Sequence, residues 1–356
     1  MKAVIIMSGL AVGIIVGLIP RAGKPAPLYW KLLVLLFVTA TIVLNLVPPL
    51  AGTLGEVKFM TGKVDYESIP VLAVLNVEDS SAHAQDSSGN CIIPVGNAGI
   101  WKIRFPERLV IPAAKLDKSF TSDDELLLNV RYNPDGHVFE YFSASAVNPI
   151  FTLPYVAGLG ERIRIMNFHV PVAWITVLAY LVSMIYSILY LRRRNPDDDL
   201  KAVSAAVLGT LFCLLATVTG MIWAKFNWGT YWNWDPREVS IFILLLVYFA
   251  YFALRFAVDN EFARARLSAV YSILAFITVP FLVFILPRLQ AGLHPGSGSE
   301  GNFGPVLSSG TEMLNPAMQV NFSISMAAFT MLFFWMMNLT YRYRKVNSLM
   351  SNLNNI

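Results

Sequence analysis

Uncharged apolar runs recur along the chain, joined by charged connections. Seven stand out, at about residues 3–18, 33–50, 170–191, 203–223, 240–256, 269–286 and 320–341. A crossing helix needs about 20 apolar residues, and the first run is short by that measure. Pro20-Arg21-Ala22-Gly23-Lys24 follows it instead of a small-residue cleavage site, so it reads as a retained helix and not as a signal peptide. Between the second and third runs the pattern changes. Residues 125–132 and 137–143 look like strands, with Asn133-Pro134-Asp135-Gly136 between them. That tetrapeptide is a turn signal, because Pro presets φ and Gly allows φ > 0. A β-rich domain is expected there.

The connections carry a second pattern. Arg21, Lys24 and Lys31 lie between runs one and two, and Arg192, Arg193, Arg194 and Lys201 between three and four. Arg255, Arg264 and Arg266 lie between five and six, and Arg342, Arg344 and Lys345 follow run seven. These are alternate connections, so all four clusters fall on one side, the cytoplasmic one. Seven spans with the N-terminus outside and the C-terminus inside satisfy all of them. Residues 51–167, 224–239 and 287–319 then face outward.

Composition agrees. Apolar residues make up 56% and charged residues 14%, against about 25% charged in soluble globular proteins. Net charge is +4, although residues 56–160 hold 13 acidic and 8 basic residues, a net −5. The basic excess sits in short loops and tails, with no continuous basic face, which argues against nucleic-acid binding. The two cysteines, Cys91 and Cys213, lie in unlike segments, so no disulfide is expected. There is no C-x-x-C for dithiol redox chemistry and no C-x-x-C-H for covalent haem.

The densest chemical signal is Trp228-Gly229-Thr230-Tyr231-Trp232-Asn233-Trp234-Asp235-Pro236-Arg237-Glu238, preceded by Trp223 and Phe226. In a helix, Trp228, Tyr231, Trp232 and Asp235 would share one face, a platform on which a planar ligand could stack. An interfacial aromatic belt explains the aromatics about equally well. The histidines shift that balance. His169 stands at the outer start of run three and His294 just beyond the outer end of run six, on the same side as the Trp segment. Imidazole is a common axial ligand of haem iron. His83 and His137 lie in the hydrophilic segment and read as surface residues. Arg162, Arg164, Lys225, Arg237 and Arg288 lie near the outer interface, where Arg could pair with propionates or simply snorkel.

Residues 228–238 resemble the WWD segment of the cytochrome c assembly superfamily. Ile165-Met166-Asn167-Phe168-His169-Val170-Pro171 is similar to the first histidine motif of its CcmC-type haem-handling branch, and Gly292-Leu293-His294 falls where the second histidine is expected. The helix at residues 244–255 resembles the one that follows the WWD loop. The resemblance covers about residues 162–344. It implies transient, non-covalent haem b at the outer face of a bacterial inner membrane, with His169 and His294 as axial ligands of the iron. Trp228, Tyr231, Trp232, Trp234 and Asp235 would form the platform, with Arg237 beside it. The implied role is delivery to a periplasmic haem chaperone. The implied partners are ABC-type transporter subunits and a small membrane protein of the maturation system, in a setting of membrane lipid.

The fold class expected is therefore mainly α: a polytopic helical bundle with an inserted β-rich periplasmic domain. The segments are residues 1–50 as two helices, 51–165 as the β-rich domain, 166–345 as the haem-handling membrane domain and 346–356 as a cytoplasmic tail. A carrier is favoured over an enzyme. Asp235-Pro236-Arg237-Glu238 looks closer to the synthetase branch, which leaves a cytochrome c haem lyase as an alternative. The absence of histidine from the predicted spans disfavours both a lyase with a second haem and an electron-transfer cytochrome. An oligosaccharyltransferase would need external acidic residues near a span, whereas Asp197-Asp198-Asp199 falls on the predicted inner face. A structural subunit with a Trp anchor would leave both external histidines unexplained.

Overall fold

A computed structural model describes all residues except 1, 21–22, 63–65, 77–85, 87, 99–103, 116–120, 156–158, 295–315 and 355–356. His83 and most of the outward segment at residues 287–319 therefore lie outside the described residues. The chain divides into two compact units, residues 1–46 with 164–356, and residues 47–163.

The first unit is helical: α1 (Lys2–Gly17), α2 (Leu28–Leu46), α4 (Ile163–Arg193, its first residue belonging to the other unit), α5 (Pro196–Trp228), α6 (Pro236–Ala257), α7 (Glu261–Pro280), the short α8 (Leu286–Leu289) and α9 (Pro316–Asn354). Among the described residues six helices are long and apolar enough to cross a membrane, so the chain is a multi-pass membrane protein; α1, a shorter apolar helix, is the first run. Several ends differ from the hydrophobic pattern. α4 begins at Ile163, which places His169 in its second turn and not ahead of the span. α9 runs on to Asn354, so the residues expected as a tail continue the last helix as far as they are described. Polar residues extend both helices because a helix ends where its backbone loses partners, not where apolarity stops.

At 16 residues, α1 is about 24 Å long, and it is held by close packing more than by span. Gly9, Gly13 and Gly17 all face α9, and a Cβ at Gly13 would meet Thr330 Cβ at 2.5 Å. Small residues at four-residue spacing let helix backbones approach closely in lipid. Trp30 Nε1 also donates to Val16 O at 2.8 Å, joining α2 to α1. Gly13→Leu is expected to cost about 1–3 kcal/mol through overpacking and to lower the unfolding temperature in detergent. An unchanged temperature would show that α1 contributes nothing to the bundle.

A buried amide cluster anchors the start of α4. Asn45 Oδ1 accepts from Asn167 Nδ2 and from Asn321 Nδ2, the latter at 2.7 Å, and Asn45 Nδ2 reaches Ser325 Oγ at 3.3 Å. Arg164 Nη1 donates to the Asn45 carbonyl at 2.8 Å. α2, α4 and α9 are thus joined two residues before His169, in a setting where side-chain hydrogen bonds take the place of hydrophobic attraction between helices.

The second unit is the β-rich domain. Strands β2 (Ile69–Leu75), β3 (Asn90–Asn97), β4 (Arg104–Pro112), β5 (Glu125–Asn133) and β6 (Val138–Val147) close a barrel in the order β2-β3-β4-β6-β5. The β4–β6 pair is parallel and the other neighbours antiparallel, a five-stranded Greek-key barrel of the OB type. β2 shows why these residues are strands: Ile69, Val71, Ala73 and Leu75 are buried at every second position, the period of a sheet with one face in the core. The short β1 (Leu50–Ala51) pairs in parallel with β7 (Leu153–Pro154), and the helix α3 (Leu54–Met60) carries a capping box. The turn between β5 and β6 forms where expected, but by a different device. The positive φ of 49° belongs to His137 and not to Gly136, while Asn133 Oδ1 accepts from Asp135 N–H at 3.1 Å. Lys58 pairs with the buried Glu107, and that hydrogen bond holds the Glu107 carboxyl below its usual range.

Candidate functional site

The Trp segment is a loop between two helices and not a helix face. α5 stops at Trp228 because Gly229 takes the left-handed conformation, φ 84°, at its C-cap. α6 starts at Pro236 behind an N-cap, Asp235, and a reciprocal capping box with Glu238. Glu238 Oε2 accepts from Asn233 N–H at 2.7 Å and Asp235 N–H at 3.3 Å, folding residues 229–235 over the start of α6. The expected spacing of Trp228, Tyr231, Trp232 and Asp235 along one helical face is therefore corrected; loop geometry, not periodicity, decides which of them converge. Asp235-Pro236-Arg237-Glu238, which resembled the synthetase branch, acts here as a helix start.

The loop roofs an open cavity of about 140 Å³. His169, Trp228, Trp232, Asp235, Arg237 and His294 all line it. Tyr231 and Trp234, also expected in the platform, do not. Tyr231 lies under Lys225 Nζ, 5.5 Å from its ring centre, and Trp234 is 73% exposed, edge-on to Trp232 at 5.9 Å. Trp234 also carries φ 56°, a strained value for a bulky residue. The cavity sits at the N-terminal ends of α4 and α6 and the C-terminal end of α5. The basic clusters at Arg192–Arg193, Arg255 and Arg342–Lys345 lie at the opposite helix ends.

His169 is held with one nitrogen committed. Its Nδ1 lies 3.0 Å from Thr219 Oγ1, and that hydroxyl gives its own proton to the Leu215 carbonyl at 2.8 Å. In the tautomer that lets Thr219 give its proton to Leu215, Nδ1–H donates to Thr219 and Nε2 keeps its lone pair for a metal. Gly220 opens the space beside the ring: a Cβ there would lie 3.1 Å from His169 Cε1. His294, in the irregular segment after α8, packs its ring edge against Trp228 at 6.4 Å. Of the cations considered for propionates, Arg237 lines the cavity, and its Nε is buried without a hydrogen-bond partner among the described residues. Arg162, Arg164 and Lys225 donate instead to the carbonyls of Leu159, Asn45 and Gly229.

Reading by sequence named Trp223 and Gly292 only as neighbours of the motifs and missed Gly220. Ala216, Gly220 and Trp223 stand at i, i+4 and i+7 on α5 and all line the cavity, so helical spacing from Trp223 could have found Gly220. The segment between α7 and α8, Phe281–Ile285, is a π-helical turn. Such turns recur at functional sites, and Leu282 and Val283 within it form part of the wall.

A family model described as heme exporter protein C matches residues 138–352, more than half of the chain. Heme exporter protein C of Bradyrhizobium diazoefficiens is 34% identical over 174 residues, 49% of this chain and 63% of that protein. The protein of the same description in Paracoccus denitrificans is 34% identical over 147 residues, 41% of this chain and 61% of its own length. That in Escherichia coli K12 is 29% identical over 138 residues, 39% and 56% of the two chains. The chain spans less than two thirds of the length of each of these relatives.

Proposed function

From the premise that the chain belongs to the heme exporter protein C family, we propose that it binds haem in the cavity beneath the Trp loop and passes it on during c-type cytochrome biogenesis. The observation that carries this reading is the meeting of His169 and His294, 125 positions apart (294 − 169), in one cavity with Trp228, Trp232 and Arg237. The residues fit the group. His169 presents Nε2, His294 a second imidazole, the indoles a stacking surface, and Arg237 a guanidinium whose Nε has no partner among the described residues. When bound, haem would supply a metal that takes nitrogen ligands and two carboxylates that need cations.

The cavity faces outward in this reading, because the basic connections occupy the opposite helix ends and Lys and Arg favour the cytoplasmic side. Recipient and helpers follow from family membership: a periplasmic haem chaperone, ABC-type transporter subunits and a small membrane partner. Carriage, not catalysis, suits an open pocket with weak enclosure, since a carrier must also let go. The family supports this carrier reading over the lyase. The feature that favoured the lyase, Asp235 to Glu238, has a structural explanation as a capping box. The test is haem titration of the detergent-purified protein: a Soret band that survives gel filtration is expected, and a protein that never retains haem would end the reading.

A further inference from the structure

The carboxylate of Asp235 is turned toward backbone. Oδ1 accepts from Arg237 N–H at 2.9 Å, while Oδ2 accepts from Leu293 N–H at 2.6 Å and, more weakly, from His294 N–H at 3.4 Å. The side chain is 4% exposed. One group therefore caps α6 and also ties down the backbone that carries His294, 59 positions away. Gly292 is fitted against the same carboxylate. A Cβ at that position would lie 2.6 Å from Asp235 Oδ2 and 3.1 Å from Pro236 Cδ. Gly292 does not take a positive φ, so the requirement is for room and not for backbone freedom. Residues 291–294 belong to no helix or strand, so no backbone ladder fixes them and tethers of this kind set where the imidazole lies. Hydrogen bonds to an ionised carboxylate are the strong ones.

We infer that Asp235 and Gly292 are positioning residues for His294: together they clasp the Trp loop to the His294 segment and hold that imidazole in the cavity it shares with His169. Asp235 thus lines the cavity while its carboxylate oxygens are turned to backbone donors. Its oxygens already serve backbone donors at Arg237, Glu238, Leu293 and His294. The inference rests on the haem reading for its spectroscopic consequences, but not for its effect on the protein without haem.

Two measurements on the full-length protein in detergent test it, with Asp235→Asn, Gly292→Ala and His294→Ala beside the parent. The first is amide hydrogen exchange without haem. An Asn side chain must turn its NH2 toward one set of N–H donors, and loss of a bond to a charged group is expected to speed exchange at Leu293 and His294 about tenfold. The second is the ferric spectrum with haem added. Asp235→Asn and Gly292→Ala should both lose the six-coordinate low-spin signature as His294→Ala does, and added imidazole should restore it in all three. A merely destabilising change would not be rescued by imidazole. Parent-like exchange together with a parent-like spectrum in Gly292→Ala would overturn the clasp, and that variant keeps the test open should Asp235→Asn fail to fold. If the parent itself retains no haem, the functional reading fails while the exchange measurement still judges the clasp.

Discussion

His169→Ala is expected to weaken haem binding by more than about a hundredfold, because loss of an outer-shell partner alone costs about 10–100-fold and here the metal's ligand itself is removed. The residual complex should be high-spin and should release haem on gel filtration. His294→Ala is expected to act in the same direction but to be rescued more fully by imidazole. The reason lies in how each ring is held. His169 sits within α4, with Asn167 anchored to Asn45 two residues before it and Thr219 fixing its tautomer. A small molecule replaces a ligand on a loop more readily than one built into packed helices. Difference spectra of the two variants with and without imidazole check this. Unchanged low-spin spectra in both would move the ligands elsewhere.

The second large effect lies at the other end of the bundle. Arg255 of α6 pairs with Asp199 of α5 through two parallel bonds, 2.7 and 2.8 Å, with side-chain exposures of 13% and 14%. Arg255→Ala leaves the part-buried Asp199 without its ion-pair partner, which is expected to cost up to about 3–5 kcal/mol and to lower the unfolding temperature. Removing both charges, as Asp199→Leu with Arg255→Met, should recover most of that loss, since apolar replacement of a buried pair is often neutral. The melting curves of the single and double variants decide it; a single variant as stable as the parent would mean that water reaches Asp199. Haem binding at the far end should survive in whatever fraction remains folded.

Arg255 also shows how far charge patterning carries. As a member of an alternate basic connection it was a topology signal, and Asp197-Asp198-Asp199 was an acidic run with no evident role. In the fold Asp197 meets Lys345 at 2.8 Å, Asp198 lies 3.7 Å from Lys201, and Asp199 takes Arg255. Asp197 ties α5 to α9 and Asp199 ties it to α6, while Asp198 pairs within α5; all three support their own helix start. Such pairings link residues up to 148 positions apart and leave no local trace.

By itself the sequence determined the spans, the β-rich insertion, the hairpin at Asn133–Gly136 and the two histidines beside an aromatic segment. These follow from apolar run length, from period-two burial and from charge alternation, all of which are local. It also held the ends of the Trp loop: Gly229 is a helix stop and Asp235-Pro236 with Glu238 a helix start. Only the tertiary structure decided what that loop does with its residues. It turned Asp235 toward the backbone of Leu293 and His294, left Tyr231 and Trp234 outside the cavity, and brought Gly220 against His169. The physical reason is that a capping carboxylate and a close backbone approach are satisfied by partners distant in sequence. Periodicity says which way a side chain faces on its own element but not what stands opposite it.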